Sequence, residues 1–88
     1  MFNLESAFLS TRSSAEVAAL LRVVLTPQEI KAFQARWKAC QMSFAGVPQR
    51  EISRTLRIGL ATATRSAKAA RENKSLMRRL VGRVAAKE

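Results

Sequence analysis

The chain has 88 residues and sets sixteen Lys/Arg against six acids, all Glu, for a net charge of +10 and a pI near 11.6. It has no His, no Asp and one cysteine, Cys40, which excludes an intrachain disulfide, a Cys/His zinc site and Ser-His-Asp or Cys-His catalysis. At 48% hydrophobic it is too apolar for a disordered tail, so the expectation is one small folded domain over residues 1–88 that is not an enzyme, needs no cofactor and has a polyanion as its default partner.

Phe2 to Leu9 reads as a short first helix. Ser13-Ser14-Ala15-Glu16 has capping-box spacing and opens a second, with Val17, Leu20, Leu21 and Val24 on one face. Thr26-Pro27-Gln28-Glu29 is a stronger start: Thr as N-cap, Pro at the first helical position, Glu reaching back. The helix it opens carries Ile30, Phe33, Trp37, Cys40 and Phe44 at three- and four-residue spacing, one apolar seam that ends near Ala45-Gly46. On that seam Cys40 reads as a small buried hydrophobe and Phe33 and Trp37 as dimer core. Pro48 begins a short helix to Leu56 with Ile52 and Leu56 inward, Arg57-Ile58-Gly59 is a turn, Leu60 to Arg71 is the next helix, and Asn73-Lys74-Ser75 is a break. A last amphipathic helix sets Leu76, Met77, Leu80, Val81 and Val84 against Arg78, Arg79, Arg83 and Lys87. It is open to lying on a membrane surface, although packing its apolar side on the body is preferred.

No segment alternates with period two, so the fold expected is all-α, a helical bundle. The longest unbroken apolar run, Val17 to Leu21, is far short of a membrane span, and the first dozen residues lack a signal-peptide pattern; a cytoplasmic setting is expected. Residues 1–30 carry a net charge of −1 and residues 31–88 a net +11, which assigns the polyanion-facing surface to the second part.

Within it, residues 48–72 place two helices around a three-residue turn, the layout of a helix-turn-helix. Its second helix begins Leu60-Ala61-Thr62-Ala63-Thr64, small side chains whose methyls and hydroxyls suit a major groove. Gln49, Arg50, Arg54, Lys68 and Arg71 flank these residues with groups suited to phosphate contact or base reading, and Arg65 adds to the charge. A generic αα-hairpin with a solvated arginine face is the competing reading.

LLRVVLTPQEIKAF followed by QREISRTL and GLATATRS resembles the Trp repressor family, with its leucine-rich helix ending in L-T-P-x-E, then Q-R-E-[LI] and G-[IL]-A-T-x-T-R. The resemblance covers about residues 15–72. It implies an intertwined homodimer with two reading heads on a palindromic operator in double-stranded DNA, acting as a transcriptional repressor with L-tryptophan as corepressor. It further implies that Arg65 holds the ligand's carboxylate, that the indole lies between Arg65 and Arg36, and that Val23, Leu25 and Thr26 of the partner chain close the amino-group side. Three positions depart from the family pattern: Ser66 and Arg57 stand where Gly is usual, and Ala69 stands where a Ser meets the amino group. Ser66 is expected to crowd the ligand, and a left-handed Arg57 costs roughly 1–2 kcal/mol. A regulator of the same fold answering to another ligand or to none, and a basic adaptor for RNA or membrane, are the alternatives.

Overall fold

A computed structural model describes residues 3–87, with side chains as far as Gly82. Every regular element among the described residues is an α-helix: α1 (Leu4–Ser10), α2 (Ser14–Val24), α3 (Pro27–Phe44), α4 (Gln49–Leu56), α5 (Leu60–Glu72) and α6 (Lys74–Lys87). Phe2, expected to start the first helix, lies outside the described residues, as do the side chains of Arg83, Val84 and Lys87. The chain groups into two compact units, Met1–Ala32 and Phe33–Glu88.

In the first unit, hydrogen bonds of the caps set the helix ends. Asn3 caps α1 through its side chain, which accepts from the Ser6 N–H. Ser13 caps α2 in the same way, accepting from the Glu16 N–H at 3.1 Å. The return arm of this box differs from the simple pattern: the Glu16 carboxylate accepts from the Arg12 N–H, one residue upstream of the cap. At α3 the box is complete, with the Glu29 N–H donating to Thr26 Oγ1 and the Thr26 N–H to Glu29 Oε1. Pro27, which has no N–H to lose, fills the first turn. Neither α1 nor α2 contains a buried residue; Leu9 is 87% exposed and Val23 80%.

The second unit has its own core. Ala39 of α3, Ile52 of α4 and Ala63 of α5 are fully buried together, with Met42, Val47, Leu56 and Ile58 packed around them. Within its own chain α3 packs by a face beside the seam. The residue it buries is Ala39, beside the seam, while Phe33 is 51% exposed and Cys40 and Phe44 are half-buried. Small side chains allow helix backbones to approach closely, and α5 likewise turns Ala63, Ala67 and Ala70 inward.

The end of α3 fixes where α4 starts. Gly46 takes φ +94, its N–H bonds to the Ser43 carbonyl and the Val47 N–H to the Met42 carbonyl. This is the paired pattern of a Schellman cap, and Met42 and Val47 both pack against the same core cluster. The break before α6 is shorter than expected. Only Asn73 leaves the helix, its side-chain amide donating to the Ala69 carbonyl and its own carbonyl accepting from the Met77 N–H, so α6 begins at Lys74. Met77 is buried and Leu80 and Val81 half-buried, but Leu76, expected on the same face, is 45% exposed.

Candidate nucleic-acid interface and an arginine cleft

The turn between α4 and α5 holds a strained residue. Arg57 sits at φ 55, ψ 44, a left-handed conformation in which an L side chain crowds its own backbone. Ser53 holds it there: its carbonyl accepts from the N–H groups of Arg57 and Ile58, and its hydroxyl donates to the Ile58 carbonyl at 2.6 Å. Ile58 is drawn into the core, and Gly59 then opens α5 with no side-chain cap, leaving the first N–H groups of that helix unsatisfied. A further bond ties the two helices, from Thr64 Oγ1 to Gln49 Oε1 at 3.0 Å.

Helical periodicity divides α5 into three faces. Ala63, Ala67 and Ala70 face the core. Ala61, Thr64, Lys68 and Arg71, spaced by three and four, form an exposed stripe that Leu60 begins. Arg50 and Arg54 are exposed on α4, Gln49 is half-buried, and Lys68 pairs loosely with Glu72 at 3.9 Å. An exposed pair of this kind contributes little and leaves the lysine free to exchange its partner.

The remaining flank of α5 carries Thr62, Arg65, Ser66 and Ala69, and it faces Arg36 and Cys40 of α3 across a cleft of about 360 Å³. Small-molecule sites begin near this size. Arg36, Arg65 and Ser66, which the sequence resemblance assigns to ligand, thus line one space. Ala69, one of the departures from the family pattern, lines it too. Val23, Leu25 and Thr26 belong to the first unit, and Val23 and Thr26 are exposed. Thr62, grouped by sequence with the DNA-facing residues, lies half-buried on the cleft side.

The cleft's electrostatics are one-sided, with two guanidiniums and no carboxylate among its lining residues. Such a space favours a carboxylate, which a guanidinium meets with two parallel hydrogen bonds, and a flat apolar body on which the guanidinium plane stacks. Cys40, read from sequence as a buried hydrophobe, is half-buried on the cleft wall, with Sγ 3.6 Å from the Ser66 carbonyl oxygen. Burial pushes its thiol above the ordinary range, against a smaller opposing pull from the Ser66 side chain. The signal for its place was present in the sequence, since Cys40 stands one helical turn after Arg36. Ser66 is 7% exposed, and its hydroxymethyl takes space that a glycine would leave open.

Among the described residues, no helix is long and apolar enough to cross a membrane, and no cluster of metal-ligating side chains occurs. A family model described as Trp repressor protein matches residues 3–83. No curated protein and no solved structure matches the chain. The family match runs through both units and nearly the full length, and the chain belongs to the Trp repressor family, a family of DNA-binding transcriptional regulators.

Proposed function

We propose that this protein is a transcriptional repressor acting in the cytoplasm as a homodimer, residues 1–88 forming one Trp-repressor-like domain. Its α4–turn–α5 unit is a helix-turn-helix that reads a palindromic operator, and its arginine cleft takes an amino-acid corepressor, L-tryptophan by family resemblance. The observation that carries the reading is that the exposed stripe of Ala61, Thr64, Lys68 and Arg71 and the cleft flank of Arg65 and Ser66 belong to the same helix. In helix-turn-helix proteins, the Trp repressor among them, the second helix enters the major groove. A ligand spanning Arg36 and Arg65 bears on the angle at which that helix stands from α3. It shifts DNA affinity by its differential affinity for the two positions, typically 5–150-fold.

Residues Gln49, Arg50, Arg54, Leu60, Ala61, Thr62, Thr64, Lys68 and Arg71 are assigned to DNA. Arg36, Arg65 and Ser66 are assigned to the ligand, with Val23, Leu25 and Thr26 supplied by the partner chain. The half-exposed Phe33 and the exposed Val23 and Val24 support a dimer, because its interface hides apolar surface that the single chain leaves in water. Ser66 and Ala69 favour a second reading, in which the fold and the DNA function stand and a different small carboxylate replaces tryptophan.

Selection of duplexes from a random pool tests the function. The recovered sequences are expected to share a two-fold-symmetric site and to bind roughly 10³-fold or more above random duplex, the margin common to specific DNA-binding proteins, of which the Trp repressor is one example. Recovery of unrelated sequences of equal affinity contradicts the reading.

A further inference from the structure

Two more clefts of the second unit carry charge beyond that of the ligand cleft, and they continue the α5 stripe from Arg71 to side chains outside it. One, of about 410 Å³, lies where α5 passes into α6 and is lined by Arg71, Lys74 and Arg78 beside Ser43 and Phe44. The other, of about 470 Å³, lies at the start of α4 and is lined by Arg50 and again Arg71, beside Pro48 and Gln49. Ser43, Ala67 and Arg71 belong to both, so the two are continuous. Arg50, Arg71, Lys74 and Arg78 therefore form one basic strip, and among the described residues no carboxylate lines either cleft. Among the described residues none of the four cations is paired with an acid.

The placement of Lys74 is a separate indication. It is the first residue of α6, where the helix dipole disfavours a cation, and the first turn of α6 holds no acidic residue to offset it. Four unpaired cations in a row, with Lys74 at the positive end of α6, repel one another, and a polyanion lying along them relieves that repulsion. A row of regularly spaced phosphates supplies that anion.

We propose that the DNA-contacting surface continues past the reading head onto α6, with Lys74 and Arg78 holding the phosphate backbone of duplex flanking the operator. This rests on the DNA-binding reading above, because Arg50 and Arg71 join the strip to that head. The α6 contacts are with phosphates alone, so they add affinity and salt dependence without sequence preference.

The test is K74Q/R78Q in the full chain, with affinity measured against salt for the selected site, bare and extended by flanking duplex. Wild type is expected to bind the extended duplex more tightly and with a steeper salt slope. The double variant is expected to lose that advantage, its slope falling by about 1 for each phosphate-holding residue removed, while its ranking of operator sequences is kept. R79Q removes a neighbouring exposed charge that lines neither cleft, and its slope is expected to stay near wild type. Circular dichroism melts establish that each variant folds, and the single variant K74Q replaces the double one should the latter lose helicity. A K74Q/R78Q slope equal to wild type overturns the proposal, as does an R79Q loss of the same size, which marks net charge instead of position. Slope lost toward single-stranded RNA but kept toward duplex overturns it in favour of an RNA partner. A wild-type protein with no salt-dependent duplex binding defeats the DNA reading itself, a result distinct from all of these.

Discussion

The two units of this chain solve the problem of a small core in opposite ways. Residues 1–32 hold three basic and three acidic side chains, and α1 and α2 bury nothing fully. Residues 33–88 hold thirteen basic side chains against three acidic ones, and close a core around Ile52. A helix whose apolar side chains remain exposed within its own chain is held chiefly by its caps, whereas a helix with a buried isoleucine is held by packing. The difference sets a charged unit with a buried core beside a neutral unit whose apolar side chains stay exposed within the single chain.

Removing the core of the second unit is the largest perturbation. Ile52→Ala deletes a fully buried side chain shared by three helices, and is expected to cost about 2–5 kcal/mol in a denaturant titration. Val23→Ala, 80% exposed in the single chain, is the matched probe in the first unit. Its cost stays within about 0.5 kcal/mol if water covers that position. A larger cost that grows with protein concentration shows that a second copy covers it, as the proposed dimer requires.

Smaller effects come from the caps. Arg57→Gly relieves the left-handed backbone but loosens the unfolded chain, and a net gain of about 1 kcal/mol is expected as a rise in Tm. Thr26→Ala leaves the Glu29 N–H without its acceptor, and a loss of about 1 kcal/mol is expected from thermal melts.

The smallest effect concerns pH. The thiol of Cys40 is raised in the folded state, so its contribution to stability is whole below the ordinary thiol range and is lost as pH climbs through the folded value. Alkaline melts of wild type and Cys40→Ser are expected to differ in that direction. Alkylation of the native protein at neutral pH is expected to be slower than that of a free thiol.

These positions also show what the sequence makes legible. Thr26-Pro27-Glu29, Ser13-Glu16 and Gly46 act through hydrogen bonds to their immediate neighbours, so their roles follow from local spacing, and the helices they bound lie where expected. The packing face of α3 was less accessible. Periodicity marks large apolar residues such as Phe33 and Trp37, while close helix contact selects small ones, and Ala39 carries no pattern of its own. The same reason hides the inward alanines of α5. Of the cleft, Arg36 and Arg65 came from family resemblance, because residues on different helices meet only through the fold. From sequence Cys40 reads as a core residue and Thr62 as a DNA-facing one, and the chemistry of neither side chain alone names a cleft wall. The one-residue break at Asn73 depends on its side chain reaching the Ala69 carbonyl, a bond that composition does not announce.

The most direct test of DNA reading by the second unit is amide hydrogen exchange of the full chain, free and bound to the selected duplex. In the free protein the first N–H groups of α5 lack helical partners and a side-chain cap, and they are expected to exchange fast. The account predicts that duplex slows exchange across Gln49–Leu56, the Arg57–Gly59 turn and the first turn of α5, with little change in α1. Protection confined to α1 and α2, with α4 and α5 unchanged, would contradict it.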